Sequence, residues 1–339
     1  MIYTEWDQLQ EIIVGRTYGT DCLDQFDDTQ FVEGMSKILT ETEEDFAKLS
    51  LLFEQNNVKV HRPEYPKLHK ENTRNWSSEF PYPPICPRDF HIVYDDLIIN
   101  TSGGDCNRYT EHEYFLDIMN DKFSQGRNYI AMPKPILKSE YQKYKSLEGQ
   151  ILFHSACVLK CGDTLLHTRP YDDEVYGRGT KAGLQWLKKN IPDVKWIEIP
   201  AVGHADGKLA LIKPGLLMCW NKKYIPDELS HWDVIQVDHK PLPKYFNDLK
   251  SEHFYKKTVS DWLDHWIGYV DETIFDINVV SINDKTIISN GYDKEVSRAL
   301  AMHGVEMIPF DFRHKYFWDS GLHCVTLDLT RQGTKENYV

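Results

Sequence analysis

Ala156-Cys157-Val158-Leu159-Lys160-Cys161-Gly162-Asp163-Thr164-Leu165-Leu166-His167 is the stretch on which the reading of the fold turns. Two short apolar runs, Ala156 to Lys160 and Thr164 to His167, flank the turn residues Cys161-Gly162-Asp163, and that pattern reads as a β-hairpin. Similar pairs stand at Phe90 to Tyr94 with Leu97 to Asn100 around Asp95-Asp96, and at Leu209 to Ile212 with Leu216 to Cys219 across Lys213-Pro214-Gly215. A further pair joins Asn278 to Ile282 with Thr286 to Ser289 across Asn283-Asp284-Lys285. Helical periodicity over Thr180 to Asn190 and over Asp293 to His303 leads in each case into another strand, Lys195 to Ile199 and Glu306 to Pro309. The recurring unit is hairpin, helix, strand. The copies share pattern without sequence identity, the sort of repeat that builds a closed ring of blades.

Outward from these units, Gln8 to Gly15 ends in a β-branched run closed by glycine and reads as an opening strand. From Gly34 to Asn57 the residues Met35, Ile38, Leu39, Phe46, Leu49 and Leu52 recur near helical spacing, and Val58 and Val60 follow as a strand. Residues 61 to 88 carry six prolines among Asn and Ser, which predicts a long irregular loop of the kind that often serves function. The polar end, Gln332 to Val339, is expected to fray. No linker divides the chain, so residues 1–339 are expected to form a single catalytic domain.

Composition narrows the function. Lys plus Arg total 39 against 52 for Asp plus Glu, a formal charge of −13, and no basic run exists to track a phosphate backbone, so no nucleic-acid partner is expected. No apolar stretch reaches the about 18 residues of a membrane helix, and the start MIYTEWDQLQ lacks a basic region followed by an apolar one, so no membrane partner and a cytoplasmic location are expected. Seven cysteines without compact even spacing read as reduced thiols rather than a disulfide framework.

Four clusters sit at or beside strand ends: Cys86-Pro87-Arg88-Asp89, Phe153-His154-Ser155-Ala156-Cys157, Gly203-His204-Ala205-Asp206-Gly207 and Gly321-Leu322-His323-Cys324. A cysteine, a histidine and carboxylates are the parts of a thiol enzyme, in which the thiolate attacks, the imidazole moves protons and the carboxylates hold a cation. Carboxylates beside a thiol raise its pKa, so the set makes chemical sense when a guanidinium or amidinium substrate neutralises them. Each residue also has a plain structural reading. Cys324 in a strand is a small hydrophobe, His204 and Asp206 between glycines can cap a tight turn, and Asp89 can cap a helix or pair at the surface. Cys157 and Cys161 with His154 and His167 lack the CxxC spacing and second pair of a zinc site, so no metal is expected.

The sequence resembles the amidinotransferases from end to end. The resemblance is carried in order by Glu5-Trp6-Asp7-Gln8-Leu9-Gln10-Glu11-Ile12-Ile13-Val14-Gly15, Pro87-Arg88-Asp89, Met132-Pro133-Lys134-Pro135, Gly183-Leu184-Gln185-Trp186-Leu187-Lys188, His204-Ala205-Asp206, Ile277-Asn278-Val279 and Gly321 through Leu329. It implies a five-bladed pseudosymmetric α/β propeller of repeated ββαβ modules, with the active site in a central channel. It also implies ping-pong transfer of the amidino group of L-arginine to an acceptor amine, through a covalent amidino adduct on Cys324 and with release of ornithine. His204 would exchange protons with the departing and incoming amines, and Asp89 and Asp206 would grip the guanidinium. The thiol carries the group itself, so no cofactor is implied; a homodimer is.

The sequence also departs from the family. The position matching His154 is acidic there and pairs with the catalytic histidine; a neutral imidazole stabilises an imidazolium less well. A local shift of the alignment would put Asp163 in that role. Lys223 matches a substrate-binding arginine, without its planar fork, and Asp271-Glu272 match a serine pair, which would favour an acceptor of positive or hydroxyl character if they line the pocket. Two other readings stand beside transfer: a guanidine hydrolase resembling arginine deiminases, in which water completes the reaction, and a guanidinium-binding protein without turnover.

Overall fold

The computed structural model describes residues 1–27, 29–65, 83–103, 108, 110–134, 149–170, 178–238 and 276–339. Among the described residues fifteen strands pair into five sheets of three. In four of them an antiparallel hairpin is extended by a third strand lying parallel to its second. These are β3 (His91–Tyr94), β4 (Leu97–Asn100) and β5 (Asn128–Ala131), and β6 (Val158–Cys161), β7 (Thr164–Thr168) and β8 (Lys195–Ile199). The others are β9 (Leu209–Lys213), β10 (Leu216–Cys219) and β11 (Asp233–Gln236), and β12 (Val280–Asn283), β13 (Thr286–Asn290) and β14 (Glu306–Phe310). The fifth sheet joins the two ends of the chain: β15 (Thr326–Gln332) pairs antiparallel with β1 (Gln8–Val14), which pairs parallel with β2 (Lys59–His61).

The helices over 29–55, 181–190 and 294–302 follow the sequence pattern, whereas the one over 116–124 is not marked by it. α1 (Thr29–Gln55) lays Met35, Ile38, Leu39, Phe46, Leu49 and Phe53 on one buried face against β1 and Phe312. α2 (Leu116–Ser124) precedes β5. α3 (Lys181–Asn190) is capped by Thr180, whose hydroxyl accepts from Gly183 N, and α4 (Lys294–Met302) by Asp293, whose carboxylate accepts from Glu295 and Val296 N. The β10–β11 connection departs from the repeat, since two 3-10 turns, Lys222–Tyr224 and Asp227–Leu229, replace the helix around Pro226. β5 and β11 complete sheets whose hairpins the sequence shows but whose third strands it does not mark.

The end of the chain does not fray. Asn337 forms a bridge with Gly162, Asp163 N donates to Glu336 O, and the Tyr338 ring packs edge-on 5.1 Å from Trp6. Packing of the half-buried Tyr338 ring and the backbone bridge outweigh the polar composition of the tail. Of the proline-rich stretch 61–88, residues 66–82 lie outside the described residues. Among the described residues no helix is long and apolar enough to cross a membrane.

Buried charges tie the sheets together behind the site. Glu5, Arg88, Lys160, Asp328 and Arg331 are each at most 5% exposed. Arg88 Nη2 meets Asp328 Oδ1 at 2.7 Å, Arg331 Nε meets Asp328 Oδ2 at 2.8 Å, and Lys160 Nζ meets Glu5 Oε1 at 3.0 Å. Each charge has an opposite partner, the condition under which such groups stay buried.

Candidate active site

Four short turns bring the four sequence clusters together. Asp89 ends the 3-10 turn Pro87–Asp89, whose proline occupies the first position, where a missing N–H costs nothing. Arg88 in the same turn donates from Nε to the carbonyls of His323 (2.7 Å) and Thr326 (3.1 Å), which fixes the Asp89 turn to the Cys324 segment. His204 and Asp206 border and occupy the turn Ala205–Gly207, and His154 precedes the turn Ser155–Cys157.

Cys324 is 4% exposed. Its thiol donates to Asp206 Oδ2 at 3.4 Å and accepts from Asn278 Nδ2 at 3.2 Å. Burial pushes this thiol well above its ordinary pKa, and the nearby Asp206, Cys86 and Asp89 push it further, so the resting group is the neutral S–H. Asp206 Oδ2 also accepts from His323 Nδ1 at 2.8 Å, while His323 Nε2 lies 3.2 Å from Glu5 Oε2. Burial alone would raise Asp206, but the hydrogen bond and charge of His323, with His204 and Arg88, outweigh it and hold the carboxyl below its usual range.

Asp89 and Asp206 have one feature in common. In each, Oδ2 is engaged, by Arg108 Nη1 at 2.5 Å for Asp89, while buried Oδ1 has no hydrogen-bond partner among the described residues. Buried carboxylate oxygens are costly to leave unpaired, and two such acceptors beside one thiol suit a planar, multiply donating cation.

His204 Nε2 accepts from Arg178 Nη1 at 2.8 Å and faces His154 Nδ1 at 3.1 Å, and its Nδ1 lies 3.9 Å from Asp89 Oδ1. Because a guanidinium only donates, Nε2 is the lone-pair nitrogen and the ring proton sits on Nδ1. Burial, then Arg178 and His154, hold His204 well below its ordinary pKa. His154 is placed by Phe90, 5.4 Å between ring centroids, and by Gly103, where a Cβ would lie 2.2 Å from His154 Nε2.

Donor atoms of Asp89, His154 and His204 lie within 4.8 Å of one another, close enough to be tested as a metal site. The surroundings fit poorly: Arg178 engages the His204 lone pair and Arg108 holds Asp89, whereas metal-bound histidines are usually backed by carboxylates or carbonyls.

Of the sequence-derived candidates, the structure thus gathers Cys324, His204, His154, Asp89 and Asp206. Lys223 is exposed on the turn Lys222–Tyr224, its Nζ 4.9 Å from the Tyr224 ring centroid and 6.0 Å from that of Trp220, whose Nε1 donates to Gly207 O beside Asp206. Asp271 and Glu272 lie outside the described residues. Asp163 stays in the β6–β7 turn, with Thr164 and Asn337, and does not supply the missing charge at His204. Sequence reasoning missed Arg108, Arg178 and Asn278; only Asn278 left a signal, as a polar residue between Ile277 and Val279.

No family model matches this sequence. Inosamine-phosphate amidinotransferase 1 of Streptomyces glaucescens is 24% identical over 99% of this chain and 98% of its own. The L-arginine:L-lysine amidinotransferase of Pseudomonas savastanoi pv. phaseolicola is 25% identical over 99% of this chain and 96% of its own. A solved amidinotransferase from Microseira wollei, from the saxitoxin biosynthetic pathway, superimposes with a TM-score of 0.75 at 20% identity, over 100% of this chain and 99% of the other. The fold is therefore the mixed α/β fold of the amidinotransferases. Relatives bearing that name match over the whole length of the chain, and this similarity supports an amidinotransferase enzyme.

Proposed function

We propose that the protein moves the amidino group of L-arginine to an acceptor amine through a covalent adduct on Cys324. The observation that carries this reading is the pair of buried Oδ1 atoms of Asp89 and Asp206 that have no hydrogen-bond partner among the described residues, on two carboxylates whose charge acts on the thiol. A guanidinium donating to both places its carbon against Sγ and cancels the charge that keeps the thiol protonated. The Sγ–C bond then forms, the C–N bond to the ornithine δ-nitrogen breaks, and the thiol proton, relayed by His204, goes to the departing amine. In the second half the acceptor amine attacks the adduct, gives a proton to His204, and Sγ leaves and is reprotonated. The five sheets are read as blades of a five-bladed propeller, residues 1–339 as one catalytic domain, and the active unit as a cytoplasmic homodimer needing no cofactor.

One observation favours a second reading. His204 Nε2 faces an imidazole and a guanidinium, with the Asp89 carboxylate 3.9 Å from the other ring nitrogen, which leaves little of the ring protonated to release an amine and suits a guanidinium-binding protein without turnover. Intact-protein mass spectrometry after incubation with L-arginine, beside Cys324→Ala and with amino-acid analysis of the same sample, separates the readings. An amidino-sized adduct requiring Cys324, with ornithine released, supports transfer. Citrulline with ammonia assigns a hydrolase, and binding without adduct or product assigns the binding protein.

A further inference from the structure

Asn278 immediately precedes Val279 and β12 and is fully buried. Its Oδ1 accepts two backbone N–H groups, from His323 at 2.9 Å and from Cys324 at 3.1 Å. That double acceptance fixes which end of the amide is oxygen, so the NH2 end necessarily faces Sγ. The two Nδ2 hydrogens have two acceptors, Cys324 Sγ at 3.2 Å and the Asp206 carbonyl at 3.4 Å. Asn290 Nδ2 donates to the Asn278 carbonyl at 3.2 Å and holds the backbone in turn. The space is closed: a Cβ on Gly321 would lie 2.3 Å from Asn278 Oδ1, so the glycine is what lets the loop close over the amide.

We infer that Asn278 is a catalytic residue whose side-chain N–H stabilises the Cys324 thiolate, while the same amide holds the thiol and Asp206 in register. The inference rests on the reading of Cys324 as nucleophile. The groups facing the sulfur otherwise oppose ionisation: Asp206, Cys86 and Asp89 are acidic, and His323 and Arg108 are each committed to a carboxylate. The Asn278 amide donates directly to the sulfur, and the Gly321 backbone also favours the thiolate. The amide is neutral at every working pH, so it stabilises the thiolate in the free and the substrate-bound enzyme alike.

The test measures iodoacetamide alkylation at Cys324, followed by peptide mass spectrometry across pH, for the parent, Asn278→Asp and Asn278→Ala, with thermal melts beside each. Asp keeps the size and the acceptor for both backbone N–H groups but turns the donor into a charged acceptor. Alkylation of Asn278→Asp is expected to require pH higher by about one unit or more, and its adduct formation from L-arginine to slow by about 10- to 100-fold, the worth of a hydrogen bond to a charged acceptor. Asn278→Ala, which removes the donor without adding charge, should shift the same way by less, and it decides the matter if the Asp variant does not fold. A folded variant whose alkylation profile superimposes on that of the parent overturns the inference. Alkylation needs no amidino transfer, so a parent protein that alkylates normally but never releases ornithine sinks the transfer reading while leaving the Asn278 comparison intact.

Discussion

His154 Nδ1 lies 3.1 Å from His204 Nε2, the same nitrogen that accepts from Arg178 at 2.8 Å. In a carboxylate-backed triad the partner attracts the imidazolium and raises the base strength of the histidine. Here burial first, then a guanidinium and another imidazole against Nε2, outweigh the nearby Asp206 and hold His204 neutral. A histidine so depressed is seldom protonated near neutral pH, so it has few protons to give a departing amine, and it is a weak base toward an incoming one.

Replacing His154 with aspartate should restore the usual sign. A carboxylate removes one influence depressing His204 and adds an attractive one, so the pKa of His204 rises and the pH optimum of ornithine release moves upward. We expect single-turnover release near neutral pH to rise by roughly tenfold or more, within the ~10,000-fold that an orienting carboxylate is worth in a triad. Stopped-time ornithine analysis of parent and His154→Asp across pH checks this, and a slower variant at every pH would mean that the imidazole itself is needed.

Asp206→Asn should move two observables in opposite directions. Asp206 is the largest charge keeping Cys324 protonated, so its removal lowers the thiol pKa and speeds alkylation of the free protein. The same change deletes one carboxylate of the guanidinium cradle, and arginine binding should weaken by about 10- to 100-fold. Alkylation kinetics and calorimetry on one preparation read both; slower alkylation of the variant would contradict the charge argument.

Much of this arrangement is legible in the sequence, and the limits have physical causes. The four hairpins and the strands β8 and β14 carry their own turn residues, and Thr180 and Asp293 mark helix starts by local capping, so periodicity finds them to within about two residues. β5 and β11 are short and half-exposed, with no alternation to mark them; their pairing is decided by β4 and β10. The motif residues reach the site because each lies beside a strand end. Arg108 and Arg178 do not show, because their roles come from contacts across the fold, with Asp89 19 residues away and with His204 26 residues away. The tail misleads because composition gives no hint that Tyr338 has Trp6 to cover it.

The buried charge network predicts acid sensitivity. Burial would raise Glu5 and Asp328, but Lys160 and His323 around Glu5, and Arg331 and Arg88 around Asp328, hold both well below their ordinary values of 4.5 and 3.8. As pH falls through those values the unfolded chain takes up protons that the folded chain does not, so the stabilisation present above them is lost on acidification. Glu5→Gln leaves Lys160 and Arg88 short of a partner and should cost about 3–5 kcal/mol at neutral pH. Thermal melts from neutral pH down to about pH 3 should show the parent falling steeply and the variant starting lower but falling less. Parallel curves would show that Glu5 does not carry the linkage.

Gly103→Ala tests whether the His154 ring is held where the structure puts it. The new Cβ would sit 2.2 Å from His154 Nε2 and 3.2 Å from Phe90, and His154 is 1% exposed, so the ring has no open side to move into. The expected cost is about 1–3 kcal/mol of stability, as for other overpacked interiors, together with a shift in the pH profile as the His154–His204 contact is broken. In His154→Asp the shorter side chain relieves the clash, so adding Gly103→Ala there should change stability by less than about 0.5 kcal/mol. A double-mutant cycle read by thermal melts and single-turnover ornithine release gives the coupling directly. Full additivity would mean that the glycine is not what positions the ring, and that Phe90 alone sets the distance to His204.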